Sequence, residues 1–132
     1  MPTAHAGGTF DVKLNPLPAY VQGEATIGRM SIDKQYHGDL EATSKGEMLS
    51  ATTSVKGSAG YVAIERVSGT LHGRIGTFVL QHSATMNRGA PQLAIAVVPD
   101  SGTGELAGLT GTMAIRIEPG GAHFYEFEYT LP

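Results

Sequence analysis

The 132-residue chain is short enough to be one domain and long enough to bury a core or to close a sheet around a cavity. Hydrophobic residues at 41% against 16% charged exclude a disordered chain, and no apolar run reaches the ~20 residues of a membrane helix. A net charge of −3, with nine Lys and Arg spread singly, leaves no basic stripe for nucleic acid; the lack of cysteine excludes disulfide, Cys-zinc and thiol chemistry and fits a reducing cytoplasm.

Residues 1–6 read as a flexible tail, without the basic and apolar regions of a signal peptide. From residue 7 onward the chain reads as a single domain, 7–132. Gly7 to Leu14 alternates Phe10, Val12 and Leu14 against Thr9, Asp11 and Lys13, the pattern of a half-buried strand. Asn15-Pro16-Leu17-Pro18 then stops it, because two prolines remove two ladder donors. Ala25 to Tyr36 reads as a second strand, with Met30 and Ile32 sharing a face with Gly28 and Lys34. His37-Gly38-Asp39 is a turn. Leu40 to Thr53 is a third strand with Gly46 at a bulge. A helix over Leu40 to Met48 is the alternative, disfavoured by Thr43, Ser44 and Gly46.

Gly60 to Met86 reads as two long strands joined at Leu71-His72-Gly73-Arg74, since glycine and histidine tolerate the positive φ of a two-residue hairpin. That turn puts Glu65 opposite Leu80 and diagonal to His82. It collects Tyr61, Ala63, Glu65, Val67, Leu71, Phe78, Leu80, His82, Ala84 and Met86 on one bulky, apolar face, which is assigned to the interior. Val62, Ile64 and Val79 fall on the other. A three-residue loop would separate Glu65 from His82.

Asn87 to Pro91 reads as a loop, Gln92 to Val98 as a short strand with Leu93, Ile95 and Val97 on one face, and Pro99 to Gly104 as a second loop. Glu105 to Ile117 reads as one long strand, and His123 to Leu131 closes the chain. A five-residue loop from Glu118 to Ala122 aligns Ile115 with Tyr125 and Met113 with Phe127. With about eight antiparallel strands and no convincing helix, the class is all-β: a closed eight-stranded antiparallel barrel, or else a flattened two-sheet sandwich.

The blocks GRMSIDKQYHGDLEATSKGEMLSA, GYVAIERVSGTLHGR, GTFVLQHSATMNRG, VVPDSGTGELAGLTG and HFYEFEYTL resemble a bacterial family catalogued as a domain of unknown function (number 3224). The resemblance runs from Gly7 to the C-terminus. That family is similar in architecture to the allene oxide cyclase and dirigent barrels. The resemblance therefore implies an eight-stranded barrel with a central cavity, in a group that includes cofactor-free cyclases of hydrophobic substrates; this is analogy at the level of fold.

Glu65 and His82 are the candidate catalytic residues. In an apolar cavity, one serves as general base and the other as acid or orienter. The plainer reading is a buried hydrogen-bonded pair that fixes strand register. Tyr61, Tyr125 and Tyr129 offer hydroxyls to a ligand or pack as core aromatics. Phe78, Leu80, Met113 and Phe127 are cavity lining or plain core. No H-x-H run calls for a metal, and a site assembled from His82, His123 and Glu65 is a minor alternative. The remaining Lys, Arg and acidic residues read as solvated outer charges. Neither the glycine runs nor Ser83 sits in a phosphate-loop or serine-nucleophile context.

The expected function is a barrel binding a small hydrophobic molecule: a cofactor-free cyclase, isomerase or proton-transfer lyase, or a non-catalytic binding barrel. No cofactor, nucleic acid or membrane partner is expected. The outward Val62, Ile64 and Val79 suggest a homo-oligomer, a dimer by preference, with a structural subunit as the weakest reading.

Overall fold

The hairpin at His72-Gly73 forms with two turn residues. Their φ angles are +47° and +79°, and Leu71 pairs with Arg74, Glu65 with Leu80 and Ala63 with His82. Positive φ at both positions gives the turn a twist that matches that of the flanking strands. Glu65 and His82 are therefore on the same face, and both are buried.

The computed structural model describes residues 2–21 and 26–132. Its strands are β1 Ala4–Leu17, β2 Thr26–Gly38, β3 Leu40–Thr52, β4 Ala59–Leu71, β5 Arg74–Asn87, β6 Ala90–Val97, β7 Thr110–Ile117 and β8 His123–Thr130. They follow one another around a closed antiparallel barrel, with β8 paired back onto β1. The ring of pairings separates an inner from an outer face on every strand. Among the described residues no helix is long and apolar enough to cross a membrane.

Several boundaries differ from the sequence reading for local reasons. β1 begins at Ala4, inside the expected tail, because Ala4 pairs with Tyr129 and Ala6 is fully buried in the core. The same strand runs through Pro16, which pairs with Met30 of β2. Beyond Phe10 β1 has no register with β8, so Pro16 sits where the strand has one neighbour only, the setting in which proline is tolerated. Ala25, the expected start of the second strand, lies outside the described residues.

Gly46 is not a bulge. It pairs in continuous register with Ile32 on one side and Glu65 on the other. What requires glycine is a close approach: a Cβ at this position would lie 2.0 Å from the Ile64 carbonyl oxygen and 2.7 Å from the Glu65 Cα.

The loop expected at Asn87–Pro91 shrinks to Arg88-Gly89, both at positive φ, with strand on either side. The expected long strand from Glu105 does not form. Residues 104–106 make a 3-10 turn, the Glu105 carboxylate accepts the Ile75 backbone N–H at 3.0 Å, and Leu106 and Leu109 are buried against the core. The loop from β6 to β7 thus plugs one end of the barrel. The β7–β8 register is the expected one, with Ile115 opposite Tyr125 and Met113 opposite Phe127. On the outer wall Val62 and Ile64 are exposed, whereas Val79 is half-buried and its N–H donates to the Ser101 hydroxyl at 3.1 Å.

Candidate functional site

At the end opposite the plug, the barrel opens into a cavity of about 550 Å³. Its walls carry Val12, Ile32, Met48, Ala63 and Ile115, and its polar floor is formed by Lys34 and His82. Leu14, Met86, Leu93 and Ile117 line its mouth and are exposed to solvent. β6 and β7 are joined at only two register positions, Ile95 with Met113 and Ala96 with Thr112. Toward the mouth, Leu93 and Ile115 line the cavity from two strands that are no longer paired to each other.

Beneath that floor is Glu65, with no exposure at all and out of contact with the cavity. Three side chains converge on its carboxylate. Lys34 Nζ donates to Oε2 at 2.7 Å, the Tyr36 hydroxyl donates to Oε1 at 2.5 Å, and His82 Nε2 lies 2.5 Å from Oε2. The topology explains the convergence. Lys34 and Tyr36 are inward positions of β2, Glu65 is inward on β4 and His82 inward on β5. Between β2 and β4 stands Gly46 of β3, whose missing side chain lets the walls close on the carboxylate.

Burial alone would push the Glu65 carboxyl up. The hydrogen bond from His82 and the Lys34 charge and hydrogen bond, with a smaller share from Tyr36, outweigh it and bring the value down to about 2, from 4.5. Glu65 is therefore a carboxylate near neutral pH and can only accept hydrogen bonds. The opposite holds for Tyr36, whose hydroxyl is driven well above its ordinary value by burial and by the Glu65 charge, so it keeps its proton. Against an acceptor-only carboxylate, the His82 proton must sit on Nε2 when the ring is neutral. Nδ1 is then a lone pair; it has no hydrogen-bond partner among the described residues, and the ring lines the cavity.

The expected site residues divide into two groups. Tyr61 and His82 line the cavity, with Glu65 directly behind. Phe78, Leu80, Met113, Tyr125, Phe127 and Tyr129 do not; they belong to the packed core. Phe78 stacks on Phe127 and Phe127 on Tyr129, at ring-centroid distances of 5.8 and 5.4 Å. The Tyr125 hydroxyl accepts the Leu40 N–H at 2.9 Å and donates to the His37 carbonyl at 3.0 Å. The Tyr129 hydroxyl meets His72 Nδ1 at 2.5 Å. Both hydroxyls are thus committed to tying the plugged end together. His123 is in the cavity wall, 5.1 Å from the Phe10 ring, and no group of three His, Cys, Asp or Glu able to hold a metal assembles among the described residues.

Lys34 is the residue the outer-charge reading missed. It is 9% exposed, with its ammonium 5.0 Å from the centre of the Phe10 ring. The signal was parity: alternation on β2 puts Lys34 on the face of Ile32, and Tyr36 follows two residues on.

The family model for a protein of unknown function, DUF3224, matches residues 6–129. The chain belongs to the DUF3224 family. A crystal structure of a protein of unknown function from the DUF3224 family of Shewanella oneidensis MR-1 is 56% identical in sequence. The similarity covers 99% of this chain and 98% of that one, with a TM-score of 0.95. No curated protein matches the chain. Family membership thus agrees with the barrel and leaves the chemistry of this DUF3224 member to be argued from the cavity floor.

Proposed function

We propose that the barrel takes a small, largely apolar molecule into its open cavity and moves a proton on it without a cofactor, with His82 as the base. The observation that supports this most directly is the division of labour on one imidazole: Nε2 is held by a buried carboxylate, while Nδ1 has no partner among the described residues and the ring lines an apolar chamber. A base oriented through its far nitrogen is the arrangement that general-base catalysis uses. The cavity volume falls within the range of small-molecule sites, and the walls supply an apolar surface while the floor supplies the few polar groups that fix orientation. Isomerisations and eliminations of the proton-transfer type begin with such a step. The allene oxide cyclase-like reading of the barrel belongs with this proposal, as an analogy of architecture.

Nile red, an apolar dye that fluoresces out of water, tests the binding half. Ala84 lines the cavity between Tyr61 and Leu93, on the inner face shared with His82. The wild type is expected to bind the dye, and Ala84→Phe, which narrows the chamber, to bind it at least about tenfold more weakly, in line with the loss of apolar burial. Bound dye should also slow carbethoxylation of His82 by diethyl pyrocarbonate. Equal dye affinity in the two proteins, or unchanged reactivity of His82, would rule out the cavity as the binding site.

A further inference from the structure

The polar floor carries a second group that faces the cavity, and its chemistry narrows the ligand. Lys34 and His82 hang on the same oxygen of Glu65, at 2.7 and 2.5 Å, so they stand side by side. An ammonium has three N–H donors. One is held by Glu65 and a second points toward the Tyr36 hydroxyl at 3.5 Å. The third has no partner among the described residues, and Lys34 is part of the cavity wall. The floor therefore presents one free donor beside one free lone pair.

Charge balance selects what can sit there. Glu65 and Lys34 cancel, and a His82 ring carrying its single proton on Nε2, the form that can act as a base, adds no charge. A neutral ligand leaves the floor neutral. A carboxylate or phosphate would bring an uncompensated charge into an apolar chamber, which is strongly unfavourable unless a proton enters with it. A hydrocarbon would offer no acceptor to the third N–H of the ammonium.

We infer, building on the reading above, that the substrate is a neutral apolar carbonyl compound, its oxygen on Lys34 Nζ and an adjacent C–H bond on His82 Nδ1. Lys34 is then a catalytic residue in its own right. His82 Nδ1 takes the proton from the carbon next to the carbonyl, and the C–H electron pair becomes the enolate. The oxygen of that enolate carries its negative charge against the Lys34 ammonium, and the imidazolium formed is stabilised by Glu65. Return of the proton to the same carbon exchanges it with solvent. Return to the far end of an adjacent double bond gives the conjugated isomer. No oxidant, reductant or second substrate enters either route.

The test uses the full chain in D2O with 1-tetralone, a neutral apolar ketone, and with tetralin, the same skeleton without the oxygen. NMR reads deuterium entering the carbon next to the carbonyl, and displacement of Nile red reads binding of each compound. The expected results are tighter binding of 1-tetralone than of tetralin, and exchange at least about 100-fold faster with wild type than with His82→Gln, the scale of a lost general base. The paired variant Lys34→Met/Glu65→Gln keeps the floor neutral. It should lose both the preference for the ketone and most of the exchange. Equal binding of the two compounds with no enzyme-dependent exchange would overturn the carbonyl assignment while leaving the barrel a binding protein for apolar molecules. Displacement by neither compound, together with failure of the dye to enter the cavity, would remove the binding reading as well.

Discussion

Glu65→Gln is expected to destabilise the barrel by about 3–5 kcal/mol, the range for breaking a buried ion pair by removing one partner. The substitution is nearly isosteric, so packing changes little. What changes is that Lys34, buried and 2.7 Å from the Glu65 carboxylate, loses the charge that holds it in place. The Tyr36 hydroxyl and His82 Nε2 also lose the stronger, charge-assisted form of their bonds. For a domain of this size the deficit corresponds to a melting temperature roughly 10–20 °C lower. Lys34→Met/Glu65→Gln removes both charges and should recover more than half of the loss, because the expensive species is the lone cation rather than the missing pair. A double variant no more stable than Glu65→Gln would show that the ion pair is not what the carboxylate is for.

The same group is expected to contribute to the acid limit of the fold. Its folded value of about 2 lies below the ordinary 4.5, so its contribution is fully present above 4.5 and is lost as the pH falls through the interval down to 2. Linkage makes that contribution about 3 kcal/mol. Denaturant titrations of the wild type should therefore show stability dropping between pH 4.5 and 2, and the drop should be clearly smaller in Lys34→Met/Glu65→Gln. Parallel acid slopes in the two proteins would assign the acid sensitivity to other carboxylates.

How much of this was legible in the sequence depends on the kind of question. Period-two alternation decides inside from outside, and a two-residue turn decides register. Together these placed Glu65 and His82 on one interior face and aligned Met113 with Phe127. Alternation carries no information about height along the barrel axis. Phe78, Leu80, Tyr125 and Phe127 share the inner face with Tyr61 and Ala63, yet the former fill the plugged end and the latter line the chamber. The difference is made by the 98–109 loop, whose Leu106 and Leu109 close one end only. Lys34 was hidden by a different prior, the habit of placing charges outside. Its position on the Ile32 face contradicted that habit, and the partner that makes its burial tolerable lies thirty-one residues away on β4.

Gly46→Ala should be among the most damaging small substitutions in the chain. The added methyl group would run into the neighbouring strand, and the two atoms it would meet first are its backbone: the Ile64 carbonyl oxygen at 2.0 Å and the Glu65 Cα at 2.7 Å. A side chain can rotate away from such a contact, but a strand paired along its length cannot, because its ladder bonds hold it. β4 must therefore move away from β3 at the position that supports the carboxylate. The expected cost is about 3 kcal/mol or more, at or above the upper end of overpacking effects, because the contact is with backbone. The displacement should also be visible at the site. Moving Glu65 relative to Lys34 on β2 loosens the bonds that hold its carboxyl near 2, so the acid transition of Gly46→Ala should begin at higher pH than that of the wild type. Ala63→Gly, a change of similar size at a buried inner position two residues from Glu65 on β4, serves as the control. It should leave the onset of acid unfolding closer to that of the wild type than Gly46→Ala does. An unshifted acid transition in Gly46→Ala would mean that the close approach of β3 and β4 supports the fold without setting the geometry of the carboxylate.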